Sequence, residues 1–222
     1  MARLKYGILG PVLGKIANLV GYLRLGQPIL RSKPKKPKKK KVRSDAQKAV
    51  NLRFKLVKSF ISVIGEFIHE GYRLDVAKSD RIPENGASSY LLNEAVTGDY
   101  PNYEIDYSKV LVSRGRLQKP SNPTVKLEGN TLKFYWDVDP NWGYELNRDQ
   151  VMVLAYLPTN GTADYSLSGA RRKEGYEELK VGIVRQDQYD LKKDDFIEVY
   201  IAFVSDNRKR ISDSVYLGSV AV

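Results

Sequence analysis

Beyond Ser44 the apolar residues Val50, Phe54, Val57, Ile61, Ile64 and Ile68 recur at alternating steps of four and three, the spacing that lines one face of an α-helix. It predicts a helix over about 45–69. Ser44 and Gln47 supply the S-x-x-Q of a capping box at its start. Phe60, Val63 and Phe67 widen the apolar side, so this helix is expected to lie against a sheet or another subunit rather than on an open surface.

Further along, Pro83, Asn85 and Gly86 are expected to break the chain, with a short helix from Ser88 to Val96 closed by Gly98. Tyr103, Ile105 and Tyr107 alternate, and Val110 and Val112 continue the strand signal. From about residue 118 the pattern turns to strands: Thr131 to Val138, Val151 to Tyr156, Tyr165 to Leu167, Tyr176 to Val181, Phe196 to Val204 and Ile211 to Leu217, punctuated by Pro, Gly, Asn and Asp. Short strands at this spacing over about 100 residues predict a β-sandwich. Trp136, Leu179 and Tyr200 stand where a fibronectin type III-like core is expected to have its large residues.

The first 43 residues fit neither pattern. Residues 6–30 are apolar but interrupted by Gly7, Gly10, Gly14, Gly21 and Gly26, and Lys15 and Arg24 cut them into runs too short to span a bilayer. No small-x-small cleavage site follows the first apolar run. Short strands are expected over Ile16 to Leu23 and Ile29 to Arg31, turned at Leu25, Gly26 and Gln27, forming an arm without a core of its own. KPKKPKKKKVR at 33–43 reads as an extended linker, because Pro34 and Pro37 block helix and like charges repel. The expected fold is therefore mainly β with a helical segment: arm and linker at 1–43, a helical and strand connecting region at 44–117, and the sandwich at 118–222.

Charge sharpens this division. Residues 1–58 carry 17 Lys and Arg against the single Asp45, a net +16, whereas residues 59–222 carry 20 against 25, a net −5. A basic arm on an acidic body is the distribution of a chain aimed at a polyanion. The expected contacts are Lys33, Lys35, Lys36, Lys38, Lys39, Lys40, Lys41 and Arg43, continued by Lys48, Lys55 and Lys58 on the polar face of the helix. Lys neutralises phosphate as a point charge, so binding is expected to ignore base sequence and depend on salt.

Candidate chemistry adds little. The chain has no Cys and only His69, which excludes disulfides, thiolate metal sites and a His cluster. GPVLGK at 10–15 departs from a phosphate loop: only three residues separate its glycines and Ile16 replaces Ser or Thr. DVDPNWGYELNR at 137–148 starts like a calcium loop with Asp137, Asp139 and Asn141, then places Trp142 and Arg148 where Gly and Glu are needed. His69 reads as a helix C-terminal residue. The pairs Glu177–Glu178 and Asp194–Asp195 read as solvated loop charges, since neighbours in a strand point to opposite faces. Tyr72, Tyr90, Tyr100, Tyr103 and Tyr107 read as packing residues before base-stacking ones. No catalytic residue, metal or cofactor is expected, and no small-molecule substrate suggests itself.

Several stretches together carry a resemblance: GILGPVLGKIANLVGYLRLGQPILRSKP near the start, Asp45 to Gln47 with Asn51 and Phe54, LLNEAVTGDYPNYEIDYSKVLVSRG at 91–115, and IAFVSDNRKRISDSVYLG at 201–218. They resemble a family of Bacteroidota proteins built on a domain of unknown function. The Lys run is heavier here than in that family's usual pattern. The resemblance implies a shared fold and brings no catalytic residues.

The expected function rests on arm and charge: a non-enzymatic, self-assembling structural protein of coat, filament or packaging type that holds nucleic acid, cytoplasmic or virion-associated. Ile8, Leu13, Ile16, Leu19, Leu23, Ile29 and Leu30 are its expected subunit-interface residues, making a homo-oligomer or filament. The alternative is an extracellular or cell-envelope adhesion module whose sandwich binds protein or glycan.

Overall fold

Four short strands succeed one another through the N-terminal segment in a computed structural model of the chain, which describes residues 3–4, 6–7, 10–35, 42–182 and 196–221. β1 (Arg3–Leu4), β2 (Val12–Ile16), β3 (Leu19–Arg24) and β4 (Gln27–Ser32) form one antiparallel sheet in that order. The expected strand Ile16 to Leu23 is instead two strands, because the chain turns at Ala17, whose φ is +46°. The turn expected at Leu25 and Gly26 is present, with φ of +49° and +81°, the twist that suits a two-residue hairpin. Gly21 is obligatory at the centre: a Cβ there would fall 1.9 Å from the Val12 carbonyl oxygen. This sheet belongs to one compact unit, Met1–Ser44; the other is Asp45–Val222.

The second unit opens with α1 (Asp45–Val63) and α2 (Gly65–Tyr72). The single helix expected over 45–69 is thus broken before Gly65, where Ile64 leaves helical geometry at φ −108°, ψ 30°. α3 (Pro83–Glu94) comes after them. Pro83, expected to break the chain, instead opens this helix, since its missing N–H falls where no intrahelical partner exists. Gly86 lies inside it, because a Cβ would come within 2.8 Å of Val76 Cγ1. The hairpin of β5 (Val96–Asp99) and β6 (Asn102–Ile105) comes next. Val110 and Val112 are buried but lie outside any strand.

Among the described residues, seven strands then make two sheets. β7 (Thr124–Glu128), β8 (Thr131–Tyr135) and β11 (Tyr176–Lys180) form one, in the order β11-β8-β7. β9 (Gln150–Leu157), β10 (Thr162–Ser166), β12 (Phe196–Val204) and β13 (Val215–Ala221) form the other, in the order β10-β9-β12-β13. The short helix α4 (Tyr144–Asn147) precedes β9. All pairings are antiparallel. The fold is mainly β with a helical segment, as expected, and β7 is a strand the sequence pattern did not suggest.

Two cores share the four-stranded sheet. From one face Val151, Val153, Ile197, Val199, Ile201 and Phe203 meet Leu132, Phe134 and Leu179 of the three-stranded sheet and Trp136 just after β8. From the other, Met152, Leu154, Tyr156, Tyr200, Ala202 and Val204 meet Phe60, Ile61, Ile64, Phe67 and Leu91 of the helices. A sheet buried on both faces has no polar side to show, which is why β9 reads VMVLAYL and β12 reads FIEVYIAFV as near-continuous apolar runs. Trp136 and Leu179 occupy the sandwich core as expected. Tyr200 does not; it points to the helical layer, where its hydroxyl donates to the Tyr107 carbonyl at 2.8 Å.

Candidate polyanion and assembly surface

Within the first unit, the strands bring the expected interface residues onto a sheet that has little interior. Ile16, Leu19, Leu23 and Leu30 are exposed, as are Leu4, Tyr6 and Leu25. Leu13 and Ile29 are half-buried. Ile8 lies outside the described residues. Leu30 and Leu23 are exposed to 55% and 50%, values foreign to a packed sheet face and typical of one that has no second layer. Lys33 and Lys35 are exposed just beyond β4; Lys36, Lys38, Lys39, Lys40 and Lys41 lie outside the described residues.

In the second unit, α1 divides into two halves. Its second half buries Val57, Phe60 and Ile61, with Phe60 edge-on to Tyr156 at 4.9 Å. Its first half leaves Val50 and Phe54 exposed to 52% and 53%, although both belong to the periodic stripe. Arg43, at the end of the first unit and two residues before the helix, is exposed. Lys48 is exposed and pairs with Asp45 at 2.8 Å, an i,i+3 pair worth only a few tenths of a kcal/mol, about what solvent screening leaves. Lys55 and Lys58 are exposed and make no ion pair among the described residues. Arg53 donates to the Leu92 carbonyl of α3 at 2.5 Å and lies over the Tyr103 ring of β6, which ties α1 to α3 and to the β5–β6 hairpin. A shallow groove lined by Leu52, Lys55, Leu56, Pro101 and Tyr103 runs beside it.

The tyrosines expected to pack mostly do so. Burial pushes the Tyr72 and Tyr107 hydroxyls above their ordinary range, and Tyr72 donates to the Leu111 carbonyl at 3.0 Å. Tyr100 is exposed. His69 stands 3.5 Å from Glu84 at the α2–α3 contact. Glu177 and Glu178, expected in a loop, lie in β11, where Glu177 accepts from the Ala170 amide and Glu178 from the Tyr176 hydroxyl. Asp194–Asp195 lies outside the described residues. In the 137–148 loop Asp139 accepts from the Asn141 amide at 2.8 Å, an Asx turn. Among the described residues no cluster of His, Asp and Glu has metal-site geometry, and no helix is long and apolar enough to cross a membrane.

Two features carried no sequence signal. Asp149 and Arg172 form a fully buried pair at 3.2 Å, hidden in the sequence because neither residue sits in an apolar periodic run. Lys78, Arg114, Arg116, Lys209 and Arg210 converge on one cavity; RGR at 114–116 and RKR at 208–210 are short basic strings, and only the fold makes them neighbours.

No curated protein and no solved structure matches the chain. One family does, over residues 11–218, and the chain belongs to it: the family of unknown function DUF6266.

Proposed function

We propose that the protein is a non-enzymatic, self-assembling structural protein of coat, filament or packaging type, whose basic N-terminal region contacts nucleic acid without reading its sequence. The observation that carries this reading is the exposure of Ile16, Leu19, Leu23 and Leu30 on a sheet to which the described residues of the first unit add no second layer. Burying even half the apolar side chains of this segment would be worth on the order of 10 kcal/mol before entropy costs. The Lys-Pro linker can extend roughly 30 Å, far enough to deliver the arm to a neighbouring copy. Exchange of a segment between identical subunits is a low-cost route to an oligomer or filament. Charge supports the second half of the reading: net +16 over residues 1–58, with Lys55 and Lys58 making no ion pair among the described residues, favours phosphate over any neutral partner. The role places the protein in the cytoplasm or in a virion.

The test is the salt dependence of binding to a single-stranded oligonucleotide. Replacing Lys35, Lys36, Lys38, Lys39, Lys40 and Lys41 with Gln is expected to make the slope of log affinity against log salt shallower by up to about 4, with the folded body unchanged. An unchanged slope overturns the nucleic-acid reading. Purification from outside intact cells, free of nucleic acid, would favour the adhesion alternative.

A further inference from the structure

The segment Arg114–Leu117, the end of the turn Ser205–Arg210 with Ile211, and residues 74–78 line an open cavity of about 510 Å³ on the body, within the size range of small-ligand sites. Its walls are held by backbone. Leu117 N–H donates to the Ile211 carbonyl at 2.9 Å, and Ser205 N–H to the Arg210 carbonyl at 2.9 Å. Gly115 allows the first approach, since a Cβ there would fall 2.0 Å from the Ile211 oxygen. Arg208 turns the second segment with φ of +57°.

Five cations line this cavity, Lys78, Arg114, Arg116, Lys209 and Arg210, against one lining carboxylate, Asp75. Asp75 stands 3.7 Å from Arg114, and Arg210 is paired with Glu145 at 2.7 Å. The side chains of Lys78, Arg116 and Lys209 make no hydrogen bond or ion pair among the described residues. Residues 59–222 are net −5, so this concentration of positive charge runs against the body's own balance. Like charges gathered around a concavity repel unless an anion joins them. Arginine forks suit phosphate or carboxylate oxygens bidentately, while lysines add charge without fixed geometry. Leu74, Leu117 and Ile211 give the cavity an apolar lining as well, which suits an anion carrying an organic body better than a bare inorganic ion.

We infer that this cavity binds a phosphate ester, supplied either by a free nucleotide or by a nucleic-acid strand. The site lies on the body and stands independently of the arm. It is therefore tested in the full chain with the six arm lysines named above changed to Gln, so that the arm contributes no lysine cluster. Calorimetric titration at low salt with ATP and with a short oligothymidylate is expected to detect binding by at least one of them, and Lys78→Gln, Arg116→Gln and Lys209→Gln together are expected to weaken it about tenfold or more. All three side chains are exposed, so thermal unfolding should stay where it is. In the NMR spectrum the amide signals of Gly115 and Lys209 should move during the titration. Tighter binding of ATP assigns a nucleotide, and tighter binding of the oligothymidylate assigns a strand; both support the site. Absence of binding by either probe, or equal affinity in the triple variant, overturns it.

Discussion

Arg172 and Asp149 face each other with a guanidinium nitrogen 3.2 Å from a carboxylate oxygen, and neither side chain is exposed to solvent. The guanidinium lies 3.9 Å from the centre of the Phe203 ring and 5.3 Å from that of Trp142. It also donates to the Gln118 carbonyl at 2.7 Å, while the Arg172 carbonyl accepts from the Trp136 indole at 2.7 Å. One residue thus ties the segment before β7, the exit of β8, the start of β9 and the end of β12. Both oxygens of Asp149 lack a hydrogen-bond partner among the described residues, so the pair is held by charge more than by donors.

That arrangement makes stability depend on pH. Burial pushes the Asp149 carboxyl up from 3.8 to about 6, against the opposing pull of Arg172. The native state therefore holds this proton more tightly than the unfolded chain. The stability it contributes is fully present below about pH 4 and is lost as pH rises through about 6, on the order of 2–3 kcal/mol in all. Asp149→Asn removes the titration but leaves Arg172 without a counter-charge, so the informative readout is the slope. Thermal melts of the parent should fall between pH 4 and 6 relative to those of the variant, and parallel melts would contradict the raised carboxyl.

The two halves of α1 predict opposite outcomes. Phe60 is buried between the helices and β9, and Phe60→Ala should cost about 3–5 kcal/mol. Phe54 is 53% exposed, and Phe54→Ala should leave the unfolding of dilute protein within about 0.5 kcal/mol of the parent. Denaturant titrations of both variants check the contrast.

Much of this fold was legible because burial is periodic. The step pattern from Val57 to Ile68 located the helical layer, and the runs at Val151 and Phe196 located the central sheet. The misreadings share a cause: a local signal overruled by a neighbour. Tyr200 suited a sandwich core, but a sheet covered on both faces has two interiors, and the residue's parity in β12 put it in the other one. Pro83 looked like a breaker, yet a proline is compatible with the first turn of a helix, and only the helical run after it shows that this is where it stands. For the candidate surfaces, the arm's apolar character was readable directly, whereas the basic cavity was not, since its residues are brought together across more than ninety positions from Arg114 to Lys209.

Glycines divide by what surrounds them. Gly71→Ala would set a Cβ 2.2 Å from the Val112 carbonyl oxygen, so it should destabilise by several kcal/mol, about 3 or more, as a buried overpacking. Gly65 begins α2, and a Cβ added there would meet nothing within 4 Å. Gly65→Ala should therefore stabilise by about 0.5–1 kcal/mol through the lower entropy of the unfolded chain. Chemical denaturation of the pair gives both signs in one experiment.

The claim that the N-terminal segment joins subunits is tested most directly by particle mass. Light scattering should give a multimer for the full chain and a monomer, or a markedly smaller species, for the chain shortened to Ser44–Val222. Equal numbers of subunits in the two particles would mean that the exposed leucines of β3 and β4 do not hold copies together, and the assembly reading would be wrong.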